Sequence, residues 1–353
     1  MKKKILFFLH NGVGGTERMT INIAKLLPSD EYEVIICKVN VPYIIQNGRI
    51  DDFIPHGFKL TNIFWYTQLG FLRQIYTTLK RHKPNIVFSS FIAYNQRLLL
   101  FKPLFKDIQF IIRNDNYLFT INKIKRMLMR FSYRNADSII AQTLEMKREL
   151  NDLGIDSDKI EVLQNFIDEK IITEKSSITS PYPNDSMIRF VAVGRLAYQK
   201  GFDVLIKAFK IVNTKQPNSE LYIIGSIDGE SKAVYSNLIG LVETLNLEDK
   251  VIFTGYTDNP YKYIKNASVF VLSSRYEGLP NVLIESQFLN VPAAATTCIP
   301  IISRIITNGV NGFLADNENP ESLAQAMLSA SKLQNIKPTY QSAKKEDFIN
   351  LFK

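Results

Sequence analysis

The sequence is poor in the residues that build metal centres and disulfide frameworks. Its 353 residues include two cysteines and three histidines. Cys37 and Cys298 stand far apart in apolar surroundings, so they read as small core residues and not as a bridge. Without a Cys/His cluster, a zinc centre is not expected. No apolar run is long enough to span a bilayer. The amino terminus briefly imitates a signal peptide, but its apolar stretch covers only Ile5 to Leu9 before a glycine-rich loop. A first β-strand is the better reading. Short-period repeats, low-complexity tracts and nucleic-acid-binding motifs are also missing. These absences lead us to expect a cytoplasmic protein, soluble or peripheral on the inner face of the cell membrane.

What is present begins with charge. The formal net charge is +9, and such an excess commonly serves nucleic acid or an anionic membrane. With no nucleic-acid motif, the membrane is the expected partner. Lys123, Lys125, Arg126, Arg130 and Arg134 share a helical stretch with Ile124, Met127, Leu128, Met129 and Phe131. That pattern suits either a helix lying on an anionic bilayer or a half-buried surface helix.

The chain length suggests two domains, each able to bury a core. In the first half, apolar strands are expected at 4–10, 33–39, 85–90, 109–113, 138–142 and 161–164. Helices are expected at 16–27, 69–80, 122–134 and 144–153. The second half repeats the alternation, with strands at 189–193, 221–225, 251–254, 268–272 and 293–296. Its helices include 202–213, 233–245 and 280–289. Alternation of this kind implies an α/β fold with doubly wound parallel sheets covered on both faces. The stretch 174–186, rich in Ser, Thr and Pro, reads as a linker. The expected domains are therefore 1–175 and 187–339.

The chemistry concentrates in Ser273 to Ser286. A buried strand exits at Gly278 and Pro280, and a helix starts near Asn281. Glu277 lies on the loop and Glu285 on the helix. The amides of Asn281, Val282 and Leu283 at the helix start can receive an anion. Carboxylates suit sugar hydroxyls and the amides suit a diphosphate, so the segment suggests a nucleotide-sugar at the carboxyl end of a strand. Two solvated glutamates beside a helix lead-in is the plain alternative. Upstream, Arg195 and Lys200 sit five positions apart at another strand exit and can clamp a diphosphate. The loop from Asn11 to Glu17 does not fit a dinucleotide fingerprint, because Glu17 stands where glycine is required. Arg113, Asn114 and Asp115 close another strand; Arg113 can meet a phosphate or pair with Asp115. Asp156 and Asp158 have metal-motif spacing but fall in a turn, and read as a polar loop.

The segment around Glu277 and Glu285 resembles the Glu-x7-Glu motif of the retaining glycosyltransferases of family 4. The resemblance continues through Val291 and Pro292 to Asn308–Leu314. It recurs in the run from Gly194 and Arg195 to Lys200, Gly201, Phe202 and Asp203, and in Gly14, Gly15, Thr16, Glu17 and Arg18. It implies the GT-B fold, two Rossmann-like domains facing a central cleft, and it allows 340–353 to return to the first domain. It implies transfer of a sugar from a UDP- or GDP-sugar to a glycan or lipid-linked acceptor hydroxyl in surface polysaccharide or glycolipid synthesis, without a metal or other cofactor. Glu277 and Arg113 would be catalytic. Gly14, Gly15, Arg195, Lys200, Gly225, Tyr256, Asn281, Val282, Leu283 and Glu285 would bind the donor. Two alternatives stay open: another GT-B enzyme, such as a nucleotide-sugar epimerase, and a non-catalytic carbohydrate-binding relative. The chain departs from the family where a histidine is common, at Arg113. It departs again at Ile301–Arg304, where the family usually has a Gly-Pro-x-Glu run.

Overall fold

A computed structural model describes the chain except for residues 1, 13, 42–49, 184–185, 228–230 and 341. Val13, in the first glycine-rich loop, thus lies outside the described residues. The chain divides into two compact units: Met1–Phe166 with Ala343–Lys353, and Ile167–Ser342.

The first unit runs β1 (Lys3–His10), α1 (Gly15–Lys25), β2 (Tyr32–Asn40), β3 (Lys59–Phe64), α2 (Gln68–His82), β4 (Ile86–Ser89), α3 (Ile92–Leu98), β5 (Gln109–Asn114), α4 (Lys123–Ser132), β6 (Ser138–Ala141), α5 (Leu144–Asp152) and β7 (Ile160–Val162). Its strands form one parallel sheet in the order β3-β2-β1-β4-β5-β6-β7. Central strands are continuous apolar runs, as burial on both faces demands; Ile5, Leu6, Phe7, Ile86, Phe88, Phe110 and Ile111 are fully buried. Local chemistry sets the helix ends. Thr67 caps α2 by accepting from the Gly70 amide at 3.1 Å, and Lys83 closes it in the left-handed region.

The second unit runs α6 (Glu169–Ser176), β8 (Ile188–Val193), α7 (Phe202–Lys215), β9 (Ser219–Ile224), α8 (Ser231–Thr244), β10 (Val251–Gly255), α9 (Tyr261–Lys265), β11 (Val269–Leu272), α10 (Asn281–Phe288), β12 (Ala293–Thr296), α11 (Ile302–Ile305), β13 (Gly312–Ala315) and α12 (Pro320–Ala330). Its parallel sheet has the order β10-β9-β8-β11-β12-β13. A last helix, α13 (Lys345–Asn350), belongs to the first unit. There Phe348 and Phe352 are fully buried, and the Phe352 ring lies 5.8 Å from Phe7 and 5.7 Å from Phe88.

Two sequence expectations shift. The first domain, expected to reach residue 175, ends at Phe166, because α6 packs within the second unit. Lys175 donates to the Asp258 carbonyl at 3.0 Å, and Asn259 donates to the Lys175 carbonyl at 2.9 Å. The expected linker also holds a packing residue. Tyr182 is buried, its ring 4.8 Å from Tyr222, with the Arg189 guanidinium 4.9 Å from its centre. Cys37 is fully buried and Cys298 half-buried, both as free thiols; burial pushes the Cys298 thiol up to about 12.

Each sheet reverses direction once. In the first sheet the order turns between β1 and β4, and in the second between β8 and β11. Loops leaving neighbouring strands at such a point diverge and open a crevice at the carboxyl ends, where open α/β sheets bind ligands.

Candidate active site

The two motifs singled out in the second half leave the two strands that flank its switch point. The stretch from Gly194 to Gly201 follows β8, and the stretch from Ser273 to Pro280 follows β11. They meet through side chain and backbone. Lys200 Nζ lies 2.6 Å from Glu277 Oε1, and Ser274 Oγ donates to the same oxygen at 2.7 Å. Ser273 Oγ donates to the Lys200 carbonyl at 2.8 Å, the Arg275 amide to the Gln199 carbonyl at 2.8 Å, and Gln199 Nε2 to the Tyr276 carbonyl at 3.0 Å. Gly201 has φ +61°, and a Cβ there would sit 2.1 Å from the Ser273 carbonyl oxygen. Glycine is therefore required for the two loops to touch.

Arg275 locks the second loop from its outer side. Its guanidinium makes a bidentate pair with Asp203 at 2.9 and 2.8 Å, and its Nε reaches Glu318 at 2.6 Å. It also lies 3.9 Å from the centre of the Tyr198 ring. The Asp203 hydrogen bonds raise its pKa further, so it stays charged. Sequence reasoning missed Arg275 and both serines. The serines directly follow a buried strand, which was a usable signal; the Arg275–Asp203 pair spans too much chain to be read.

The other expected donor residues distribute as follows. Arg195 is exposed immediately beyond β8. Gly225 follows β9, where a Cβ would come within 2.1 Å of the Gly194 carbonyl oxygen, so its glycine keeps two strand ends in close approach. Tyr256 is exposed beyond β10, and Glu285, half-buried on α10, accepts from the Tyr261 hydroxyl at 3.4 Å. The start of α10 is less open than expected. The Asn281 amide already donates to the Leu279 carbonyl at 2.9 Å, and the Leu283 amide to the Pro280 carbonyl at 3.0 Å. A tight turn at Leu279–Asn281 consumes these donors. The helix dipole and the Val282 amide then carry the helix's attraction for an anion.

The departure at 301–304 is accommodated by packing. Ile301, Ile302 and Ile305 are fully buried around α11, and Arg304 is exposed. Asp156 and Asp158 belong to a short 3-10 turn in which Asp156 Oδ1 accepts the Asp158 amide at 3.1 Å. Among the described residues, no three His, Cys, Asp or Glu side chains converge as metal ligands would.

In the first unit, Gly14 and Gly15 open α1. A Cβ on Gly14 would strike the buried Glu17 carboxylate, whereas Gly15 faces open space. Arg113, expected either to meet a phosphate or to pair with Asp115, is sealed at the end of β5 with 1% of its surface exposed. Its Nη2 donates to Asn165 Oδ1, and burial lowers its pKa to about 10, with Asp115 opposing that shift. The guanidinium thus remains a cation at neutral pH, set behind Asp115. His10 is also buried; its Nδ1 accepts the Gly12 amide at 3.0 Å, and burial lowers its pKa. It is therefore neutral near pH 7.

Two doubly wound parallel-sheet units are the architecture of the GT-B fold, and solved structures share it. The crystal structure of Anabaena Alr3699/HepE in complex with UDP and glucose superposes with a TM-score of 0.81 at 17% identity, over 99% of this chain and 98% of that one. Residues 177–347 match the family described as Glycosyl transferases group 1, and residues 13–170 match Glycosyltransferase Family 4. The chain belongs to this glycosyltransferase family. It is 28% identical over 346 residues to an uncharacterized glycosyltransferase of Haemophilus influenzae, covering 92% of this chain and 89% of that protein. It is 27% identical over 371 residues to the Campylobacter jejuni N-acetylgalactosamine-N,N'-diacetylbacillosaminyl-diphospho-undecaprenol 4-alpha-N-acetylgalactosaminyltransferase, covering 98% and 94%.

Proposed function

We propose that this glycosyltransferase is a retaining enzyme that moves a sugar from a UDP- or GDP-sugar to a hydroxyl of a glycan or lipid-linked acceptor, in building a surface polysaccharide or glycolipid. The observation that carries this reading is the Lys200–Glu277 pair, 2.6 Å long, at the switch point of the second sheet. A cation there can neutralise a departing diphosphate, and a carboxylate beside it can hold the sugar that the diphosphate leaves. The UDP in the HepE structure and the diphospho-undecaprenol in the Campylobacter protein's name support the donor and acceptor classes.

In this reading Arg195, Lys200 and the start of α10 stabilise the leaving diphosphate, and Glu277 orients the sugar. Glu285 holds the ribose, and Tyr256 and Gly225 border the nucleotide. Inversion requires a base for the acceptor hydroxyl. His10 is a poor one, with Nδ1 engaged and the ring buried. Departure followed by same-face attack needs no such base, since a donor phosphate oxygen can take the proton. An α-linked donor should therefore give an α-linked product, without a divalent ion. The test is proton NMR of the product's anomeric centre, from reactions run with and without EDTA. A β linkage would overturn retention, and activity lost to EDTA and restored by manganese or magnesium would overturn metal independence.

We also propose that α4 rests on an anionic bilayer. No helix among the described residues is long and apolar enough to cross a membrane. On α4, however, Ile124, Met127, Leu128 and Phe131 are all exposed, and Phe119 is exposed just before it. Such a cluster is unusual on a free surface. Lys123, Lys125, Arg126, Arg130 and Arg134 surround it, the composition of an interfacial helix. Binding to vesicles containing phosphatidylglycerol should fall as salt rises, and Phe131→Glu should weaken it. Equal binding to phosphatidylcholine and phosphatidylglycerol vesicles would contradict the electrostatic part.

A further inference from the structure

The first sheet has a switch point of its own, between β1 and β4, and the side chains gathered there are carboxylate and hydroxyl in character. Asp115 stands one residue beyond β5, half-buried. Its Oδ2 accepts from Thr16 Oγ1 at 2.7 Å, and its Oδ1 accepts from Asn116 Nδ2 at 2.8 Å. Nearby, Thr20 Oγ1 and Ser90 Oγ share a hydrogen bond at 2.9 Å. A carboxylate offers about four lone-pair positions. Thr16, Asn116 and the residue's own backbone amide take three of them, and part of Asp115 is exposed.

Arg113 explains how a half-buried carboxylate can persist. Burial pushes the Asp115 pKa up, and the Arg113 charge is the largest influence pulling it back. Arg113 itself is bound at one nitrogen by Asn165, while its Nε and Nη1 are buried with no hydrogen-bond partner. Its carbonyl is held by Asn95 Nδ2 at 3.1 Å. A buried cation left so incompletely bonded is costly. As a phosphate receptor it would be misplaced, since the cation is sealed and Asp115 is the less buried of the two residues. As a fixed counter-charge it is well placed, because it favours the ionised form of the carboxylate in front of it.

We propose that Asp115 is an acceptor contact: its carboxylate receives hydrogen bonds from sugar hydroxyls at the carboxyl end of the first sheet, with Arg113 as the positioning residue behind it. The ligand class is a neutral polyol, the sugar of a glycan acceptor, and not its phosphate. This assignment rests on the transferase reading and adds the residue that selects the acceptor.

The test measures sugar and nucleotide binding separately. Methyl α-glycosides of glucose, galactose, mannose, N-acetylglucosamine and N-acetylgalactosamine are titrated into the full-length protein by saturation-transfer difference NMR, and UDP and GDP by calorimetry. At least one glycoside should bind the wild type, and Asp115→Asn should weaken it about tenfold or more, the loss expected for a charge-assisted hydrogen bond. Nucleotide affinity in D115N should stay within about twofold of wild type. Thr16→Val removes the intramolecular bond but leaves the carboxylate, so it should keep glycoside affinity within about threefold. Matched unfolding midpoints establish that D115N and T16V are folded.

Three results would overturn the proposal: no glycoside bound by wild type, unchanged binding in D115N, or equal losses in D115N and T16V. The last would make Asp115 an anchor for the start of α1 and nothing more. Failure of wild type to bind either nucleotide would instead sink the donor reading, whatever the glycosides do.

Discussion

Replacing Glu277 with glutamine should lower turnover by roughly a hundred- to a thousandfold, the scale seen when one preorganised electrostatic contact is removed, while UDP or GDP binds at least as tightly as before. The reasoning is geometric. Glu277 is 7% exposed and accepts from both Lys200 and Ser274. It therefore competes with a diphosphate for Lys200. Glutamine keeps an oxygen that can accept from Ser274, but without the negative charge it holds the lysine less strongly. The sugar loses its carboxylate and the nucleotide gains a freer cation. Turnover followed by nucleotide release, with calorimetry for affinity, separates the two effects. Turnover within threefold of wild type would remove Glu277 from the chemistry; a large loss of nucleotide affinity would place it on the wrong part of the donor.

Arg195→Ala and Lys200→Ala should each weaken UDP or GDP binding about ten- to a hundredfold, because a hydrogen bond to a charged group contributes about 1.5–3 kcal/mol. The two variants should differ in stability. Arg195 is exposed, so its removal should leave the unfolding midpoint nearly unchanged. Removing Lys200 strands the buried Glu277 without its cation, which destabilises the fold. Adding Glu277→Gln to Lys200→Ala should restore the midpoint but not the affinity. If both single variants fold and bind nucleotide as wild type does, the diphosphate lies elsewhere.

The sequence made the strands around this site readable for a simple reason. Segments such as Phe190–Val193 and Val269–Leu272 are apolar on every residue because both faces of the sheet are covered. The elements that escaped reading lack that signature. In β3, at the sheet edge, Lys59, Leu60, Asn62 and Phe64 are exposed, so polar and apolar residues mix. By contrast α12 carried legible signs, with Asn319 capping the Ser322 amide and Pro320 in the first turn. The candidate site was legible as two motifs but not as one object. Lys200 and Glu277 are 77 positions apart, and only the strand order brings them together. Arg113 was left between two roles for a different reason. Its residue type says cation, but its burial, which decides whether a ligand can touch it, depends on Asn95, Asp115 and Asn165, which the fold gathers around it.

The return of the last segment to the first unit has a consequence for how the protein is made. Domains of a growing chain generally fold as units, the earliest first. Here the first unit needs Phe348 and Phe352, which fill its core beside Phe7, Phe88 and Phe166. Those rings leave the ribosome only after the whole second unit has been synthesised. Losing a buried aromatic costs about 3–5 kcal/mol, so the first unit stays under-packed throughout elongation. Translation of the segment after Ser342 thus supplies the pieces that finish the part of the molecule begun first, and a nascent chain stalled before Phe348 carries one completed unit and one unfinished one.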